Sequence, residues 1–304
     1  MGVNRDKPDS WKDDISKSVD FYNDWFMEFA PKAFRETRVN TTKQVEDALQ
    51  WTKNLTDVRL DLLRAQPAVL PILRMSTCPP IARDRLTGLA GVSKNLVLKM
   101  DRDGEIPPRM KTADFLCDLE KIGNIIEKMA DPDIFVWLER KDEQGTEEEI
   151  HRAATIVADR LCGAVADPII RNAQEHRQLA AMRKWLEVKG YRILQPGEAN
   201  SFEDMPAGTF SFRSNVPVYL DDEKKVNIPV DAVIMPKNAA SGSFPVLMEA
   251  KSAGDFTNVN KRRKEEAVKM SQLQKTYGDK ITFNLFLCGY FDSGYLGYEA
   301  AVRN

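Results

Sequence analysis

The 304-residue chain holds only two histidines, His151 and His176, both in stretches that read as helix. So few nearly exclude a histidine-based hydrolase or a multi-histidine metal site. Its four cysteines, Cys78, Cys117, Cys162 and Cys288, stand far apart with no CxxC pair, which argues against a zinc knuckle and a disulfide scaffold. No apolar run approaches the roughly 20 residues of a membrane span. The start, MGVNRDKPDSW, is charged and lacks the hydrophobic stretch of a secretory signal, so the expectation is a cytoplasmic protein with no membrane partner. A net charge of −2 gives no overall attraction to nucleic acid, and such a partner would be met by local patches. Hydrolytic chemistry, if present, falls to carboxylates and lysine.

What is present describes a globular protein, 42% hydrophobic and 30% charged. Residues 12–165 read as helical almost throughout, including helices over 112–129 and 147–163. Near residue 166 the texture changes. A helix over about 168–189 stops at Gly190, and strand-like segments follow at 209–214, 216–220, 226–236 and 244–251. A basic helix over about 259–277 and a strand at 281–291 complete the order. This predicts an α/β fold with a mixed sheet (residues 166–304), preceded by a mainly helical N-terminal domain (residues 1–165).

The segment FPVLMEAK, 244–251, runs an apolar strand into Glu249 and Lys251. Unpaired buried charge is costly, so the two need a reason. The E-x-K pattern alone decides nothing. Glu139 with Lys141, Glu187 with Lys189, Asp222 with Lys224 and Glu223 with Lys225 offer related spacings. Glu187 ends a helix and 222–225 is a turn. Only five residues separate Asp133 from Glu139, too few for strand, turn and strand, so that segment reads as a structural element with a solvated end.

Asp231 interrupts another apolar run, with seventeen residues between it and Glu249. That gap fits one strand end, a turn at 237–243 and the next strand, which would bring both carboxylates to one edge. Lys251 shares the face of Glu249, because side chains two apart on a strand point the same way. Two adjacent carboxylates repel unless a cation lies between them. Asp231, Glu249 and the Ala250 carbonyl, with waters, would suit a hard divalent ion. Lys251 could orient or deprotonate the attacking water, and Mg2+ fits phosphodiester hydrolysis. A structural ion pair of Lys251 with Glu249 or Asp231 is the competing reading.

PVD at 229–231, followed after seventeen residues by Glu249-Ala-Lys251, resembles the PD-(D/E)xK nuclease signature, with Val230 inserted between proline and aspartate. NVNKRRKEEAVKM, FLCGYFDSGYLGYEAA and NAQEHRQLAAMRKWLEVKGY look like the type II restriction endonucleases of the XamI family. The resemblance covers roughly residues 165–300. It implies a restriction-endonuclease-like core and a Mg2+-dependent enzyme that cuts double-stranded DNA at a short specific sequence. Asp231 and Glu249 would be metal ligands and Lys251 would act on water. Glu175 matches an acidic position that adds a ligand or holds a water in many such enzymes; an exposed helix carboxylate beside Arg171 or Arg177 is its plainer reading.

Two segments could hold DNA. From Lys251 to Lys275, seven basic residues stand against three acidic ones, and Lys261, Arg262, Arg263 and Lys264 form a candidate phosphate clamp. Residues 81–108 resemble a helix-turn-helix, with a glycine break at Gly91, Ser93 as cap, and Ser93, Lys94, Asn95 and Lys99 facing a groove. A plain packing unit would read the same way. A palindromic target would favour a homodimer. The alternatives are a non-enzymatic DNA-binding regulator and a structure-specific repair or recombination nuclease.

Overall fold

The computed structural model describes residues 7–108, 112–140, 144–220, 224–255 and 259–302, with side chains except at 112–113, 259–264 and 298–302. Two units form: Pro31–Ile169, and Met1–Ala30 together with Ile170–Asn304. Helices α1 (Trp11–Trp51) and α7 (Glu147–Val188) each contribute to both. The division falls beside Pro31 in one helix and Pro168 in the other.

The helical unit is completed by α2 (Leu60–Ala65), α3 (Leu70–Met75), α4 (Arg83–Ala90), α5 (Lys94–Asp103) and α6 (Thr112–Met129). On α6, Leu119, Ile122 and Ile126 are fully buried at the i, i+3, i+7 spacing of one helix face. They join Leu63, Leu86, Leu96 and Trp137 in a single core. The α4–α5 connection turns at Gly91, whose φ of 61° is left-handed and costs glycine little.

The other unit holds a five-stranded mixed sheet in the order β1 (Arg192–Ile193), β2 (Thr209–Tyr219), β3 (Lys225–Ile234), β4 (Val246–Ala253), β5 (Thr282–Gly289). The central pairs β2–β3 and β3–β4 are antiparallel, and the outer pairs β1–β2 and β4–β5 are parallel. Helix α8 (Val259–Tyr277) supplies the parallel crossover from β4 to β5. One core joins Val216, Val230, Val233, Leu247 and Phe283 to Leu273 of α8. A second joins Phe210, Ala232 and Ile234 to Met182 and Leu186 of α7. A further helix, α9 (Ser293–Val302), follows β5.

The expected α/β architecture, helices first and a mixed sheet after, is the observed one. Two elements differ from expectation. The helices expected over 147–163 and 168–189 are one continuous α7. Pro168 cannot donate to the carbonyl four residues back, yet it removes only that bond from a long run of helix formers. Likewise, 209–214 and 216–220 are one strand, β2, with Arg213 at φ 53° inside it.

Candidate active site

Strands β3 and β4 pair at Ile234↔Val246, Val233↔Leu247 and Ala232↔Met248. One more step would set Asp231 opposite Glu249, but there the ladder gives way. The Ala250 N–H donates instead to Asp231 Oδ2 at 2.7 Å. Within a strand a residue's N–H and C=O point the same way, so the Ala250 carbonyl also turns to the β3 side. β4 stays paired with β5 as far as Ala253↔Gly289, which holds it straight while β3 departs.

The departure has a local cause. On β2, Phe210 belongs to the core under α7, whereas Val216 and Val218 belong to the core under α8. On β3, Ile228 and Val230 share the α8 core with Val233, so odd and even positions exchange faces between them. The register holds across the switch, from Phe212↔Ala232 to Ser214↔Val230. Arg213 and Asp231 fall between these two pairs, at the position the ladder skips.

Glu249 is 4% exposed and Glu266, on α8, is 1% exposed. Lys251 Nζ donates to Glu249 Oε1 at 2.8 Å and lies 3.1 Å from Glu266 Oε1, the latter a contact of charges without hydrogen-bond alignment. Lys269 Nζ donates to the same Glu249 oxygen at 2.6 Å and to the Pro229 carbonyl at 3.2 Å. Glu249 Oε2 and both oxygens of Glu266 have no hydrogen-bond partner among the described residues. Buried Gln178 donates to the Lys251 carbonyl at 3.0 Å and fixes the end of β4 from the α7 side.

Among the described residues, the three carboxylates Asp231, Glu249 and Glu266 meet two ammonium groups, those of Lys251 and Lys269. Burial, and then the neighbouring Glu249 charge, raise the pKa of Asp231. Burial also raises Glu266, against the pull of Lys251. Burial works against the Lys251 ammonium, but its hydrogen bond to Glu249 and the charges of Glu249 and Glu266 outweigh that and raise its pKa. Among the described residues the cluster therefore has more carboxyl groups than ammonium groups, and Glu249 Oε2 is buried without a hydrogen-bond partner. That donor set fits a hard cation at Asp231, Glu249 and the Ala250 carbonyl. Among the described residues no group of three or more histidine, cysteine, aspartate or glutamate side chains is arranged for a metal. Such an ion would keep several waters, as Mg2+ does.

Glu175 lies at the rim of this cluster, where its charge adds to the upward push on Asp231. Its carboxylate accepts a hydrogen bond from Arg213 at 2.9 Å. Arg177, one of the two neighbours expected of it, reaches instead to the Phe21 carbonyl and Gln174. The decoy Glu139 is exposed in a 3-10 turn, Val136–Glu139, and Lys141 lies outside the described residues.

In the helical unit, Ser93 occupies the N-cap position of α5, but its side chain makes no capping hydrogen bond. Ser93, Lys94 and Asn95 are exposed, with Lys94 3.4 Å from Asp84. Lys99 is half-buried and tied to Asp103 at 2.8 Å. Arg74 anchors α5 from beneath through Asp101 at 2.6 Å and also donates to the Ile81 carbonyl. The side chains of Lys261, Arg262, Arg263 and Lys264 lie outside the described residues, although the α8 backbone includes them.

A model of the XamI restriction endonuclease family matches residues 53–303. The chain belongs to that family. It is 52% identical over 299 residues to the Type II restriction enzyme SalI of Streptomyces albus G, covering 98% of this chain and 94% of that enzyme. No solved structure matches. Membership in the XamI family makes the chain a site-specific deoxyribonuclease and sets aside the non-enzymatic regulator and the structure-specific nuclease. Among the described residues, no helix is long and apolar enough to cross a membrane.

Sequence reasoning missed Glu266, Lys269, Gln178 and Arg213. The first two were legible only as members of a basic run. The spacing of Glu266, Lys269 and buried Leu273 at i, i+3 and i+7 marks them as one inward face.

Proposed function

We propose that this restriction endonuclease cuts double-stranded DNA with Mg2+ held by Asp231, Glu249 and the Ala250 carbonyl, in a nuclease domain spanning residues 166–304. The supporting observation is the end of the β3–β4 ladder just before Asp231 and Glu249, where Asp231 accepts the Ala250 N–H and the buried Glu249 Oε2 has no hydrogen-bond partner among the described residues. Bound Mg2+ would supply Lewis-acid stabilisation of the phosphoryl charge and make water more acidic.

The protein's own groups do the rest. Asp231 and Glu249 fix where the scissile phosphate sits. Lys251, whose ammonium is stabilised by its neighbours, orients the attacking water and offsets developing negative charge. Glu175 holds a water at the rim, and Lys261, Arg262, Arg263 and Lys264 clamp the backbone. Ser93, Lys94, Asn95 and Lys99 meet a groove as part of the 81–108 helix pair. The enzyme acts as a homodimer on cytoplasmic DNA, one active site per strand.

Plasmid incubated with the protein and Mg2+ should give discrete fragments, and Ca2+ should support binding without cutting. A smear, or plasmid left intact with Mg2+, would contradict the proposal.

A further inference from the structure

Resting on that nuclease reading, we propose that Glu266 is a positioning residue that holds the Lys251 side chain in the active site when Glu249 turns to the metal. In the structure Glu249 Oε1 carries both Lys251, at 2.8 Å, and Lys269, at 2.6 Å. A carboxylate that binds a divalent ion gives up part of this, and the ion itself repels the two ammonium groups. Lys269 keeps the Pro229 carbonyl. Lys251 has Glu266 Oε1 at 3.1 Å.

Glu266 has little other business where it is. It is 1% exposed, and neither oxygen has a hydrogen-bond partner among the described residues. For fold stability this is a poor arrangement, because a buried carboxylate with an ion pair but no aligned hydrogen bond recovers only part of its lost hydration. A neutral side chain of the same shape would serve the core at least as well. The arrangement makes sense as an anionic seat for Lys251, one helix removed from the metal. Lys251 can then remain beside the reacting phosphate after Glu249 is taken.

The test uses Glu266→Gln, which removes charge at constant shape, and Glu266→Asp, which keeps it. The readout independent of cleavage is the rate at which an amine-reactive reagent modifies Lys251, followed by mass spectrometry in the presence of Ca2+. Modification should be several-fold faster in Glu266→Gln and near wild type in Glu266→Asp. Plasmid cleavage in Mg2+ should slow roughly 10–100-fold in Glu266→Gln, the usual size of a supporting-residue effect. Its DNA affinity in Ca2+ and its melting temperature should not fall. Unchanged Lys251 modification in Glu266→Gln would overturn the proposal. So would a Glu266→Gln protein that fails to fold, since the charge would then serve the fold. If wild type fails to cut DNA, the nuclease reading fails separately, and Lys251 modification still decides whether Glu266 seats the lysine.

Discussion

Arg213 and Asp231 lie between the paired residues Phe212↔Ala232 and Ser214↔Val230, at the position the β2–β3 ladder skips and where both strands exchange the faces of their side chains. The Arg213 φ of 53° is left-handed, an uncommon state for a residue with a side chain. The kink lets β3 turn Asp231 toward Ala250 without losing register on either side. Arg213→Gly should therefore fold with stability within about 1 kcal/mol of wild type, because glycine takes this conformation freely. Arg213→Val should lose roughly 1–3 kcal/mol. The exposed pair with Glu175 contributes at most about 1 kcal/mol to either comparison. Urea unfolding measures both variants, and a valine variant as stable as wild type would remove the kink from the account.

Asp231 should make its own contribution to the pH dependence of stability, read as the difference between wild type and Asp231→Asn. Its folded pKa is raised, so the native state holds that proton more tightly than the unfolded chain. The resulting stabilisation is complete below the unfolded pKa and is lost as pH rises through the folded value. Asp231→Asn should melt higher than wild type in metal-free buffer at mildly alkaline pH, with the advantage shrinking as pH falls. Mg2+ at 100 times its Kd should stabilise wild type by about 2.7 kcal/mol and the asparagine variant by much less. Calorimetric scans with and without Mg2+ read both effects, and a variant that melts lower at alkaline pH would reverse the sign.

The strand pair that carries Asp231 and Glu249 was legible in the sequence because it rests on two apolar runs and on a gap long enough for a turn. Ala250 and Lys251 then followed from adjacency. Glu266 and Lys269 were not legible as site residues, since the rotational phase of α8 is set by which face packs on the sheet. Nor was Arg213: nothing in a run such as TFSFRSNVPVYL marks which residue will be left-handed. The continuity of α7 was hidden by Pro168, whose local penalty is outweighed by the helix on both sides. The grouping of residues 1–30 with the sheet unit is tertiary and leaves no local trace.

The α4–α5 pair gives a prediction about DNA reading. Lys94 and Asn95 are exposed at the start of α5, whereas Lys99 is engaged with Asp103. Lys94→Ala and Asn95→Ala should each weaken binding to cleavable DNA in Ca2+ by roughly 1–3 kcal/mol if they meet base edges. Lys99→Ala should weaken it less, having an internal partner already. Fluorescence anisotropy at fixed salt measures this; equal affinity in the first two variants would leave the pair a packing unit.

Glu249 and Asp231 carry the central claim, and matched cleavage assays on folded variants test it most directly. Asp231→Asn and Glu249→Gln keep side-chain size and remove ligand charge. In Mg2+ each should leave plasmid uncut, while in metal-free buffer each should bind it at least as tightly as wild type, because a carboxylate facing a phosphate with no metal between them is repulsive. Lys251→Ala should also stop cleavage, with less effect on metal binding. Exposed Glu139, on its 3-10 turn, supplies the control, and Glu139→Gln should cut at the wild-type rate. Loss of cleavage in Glu139→Gln together with retained cleavage in Glu249→Gln would contradict the site described here.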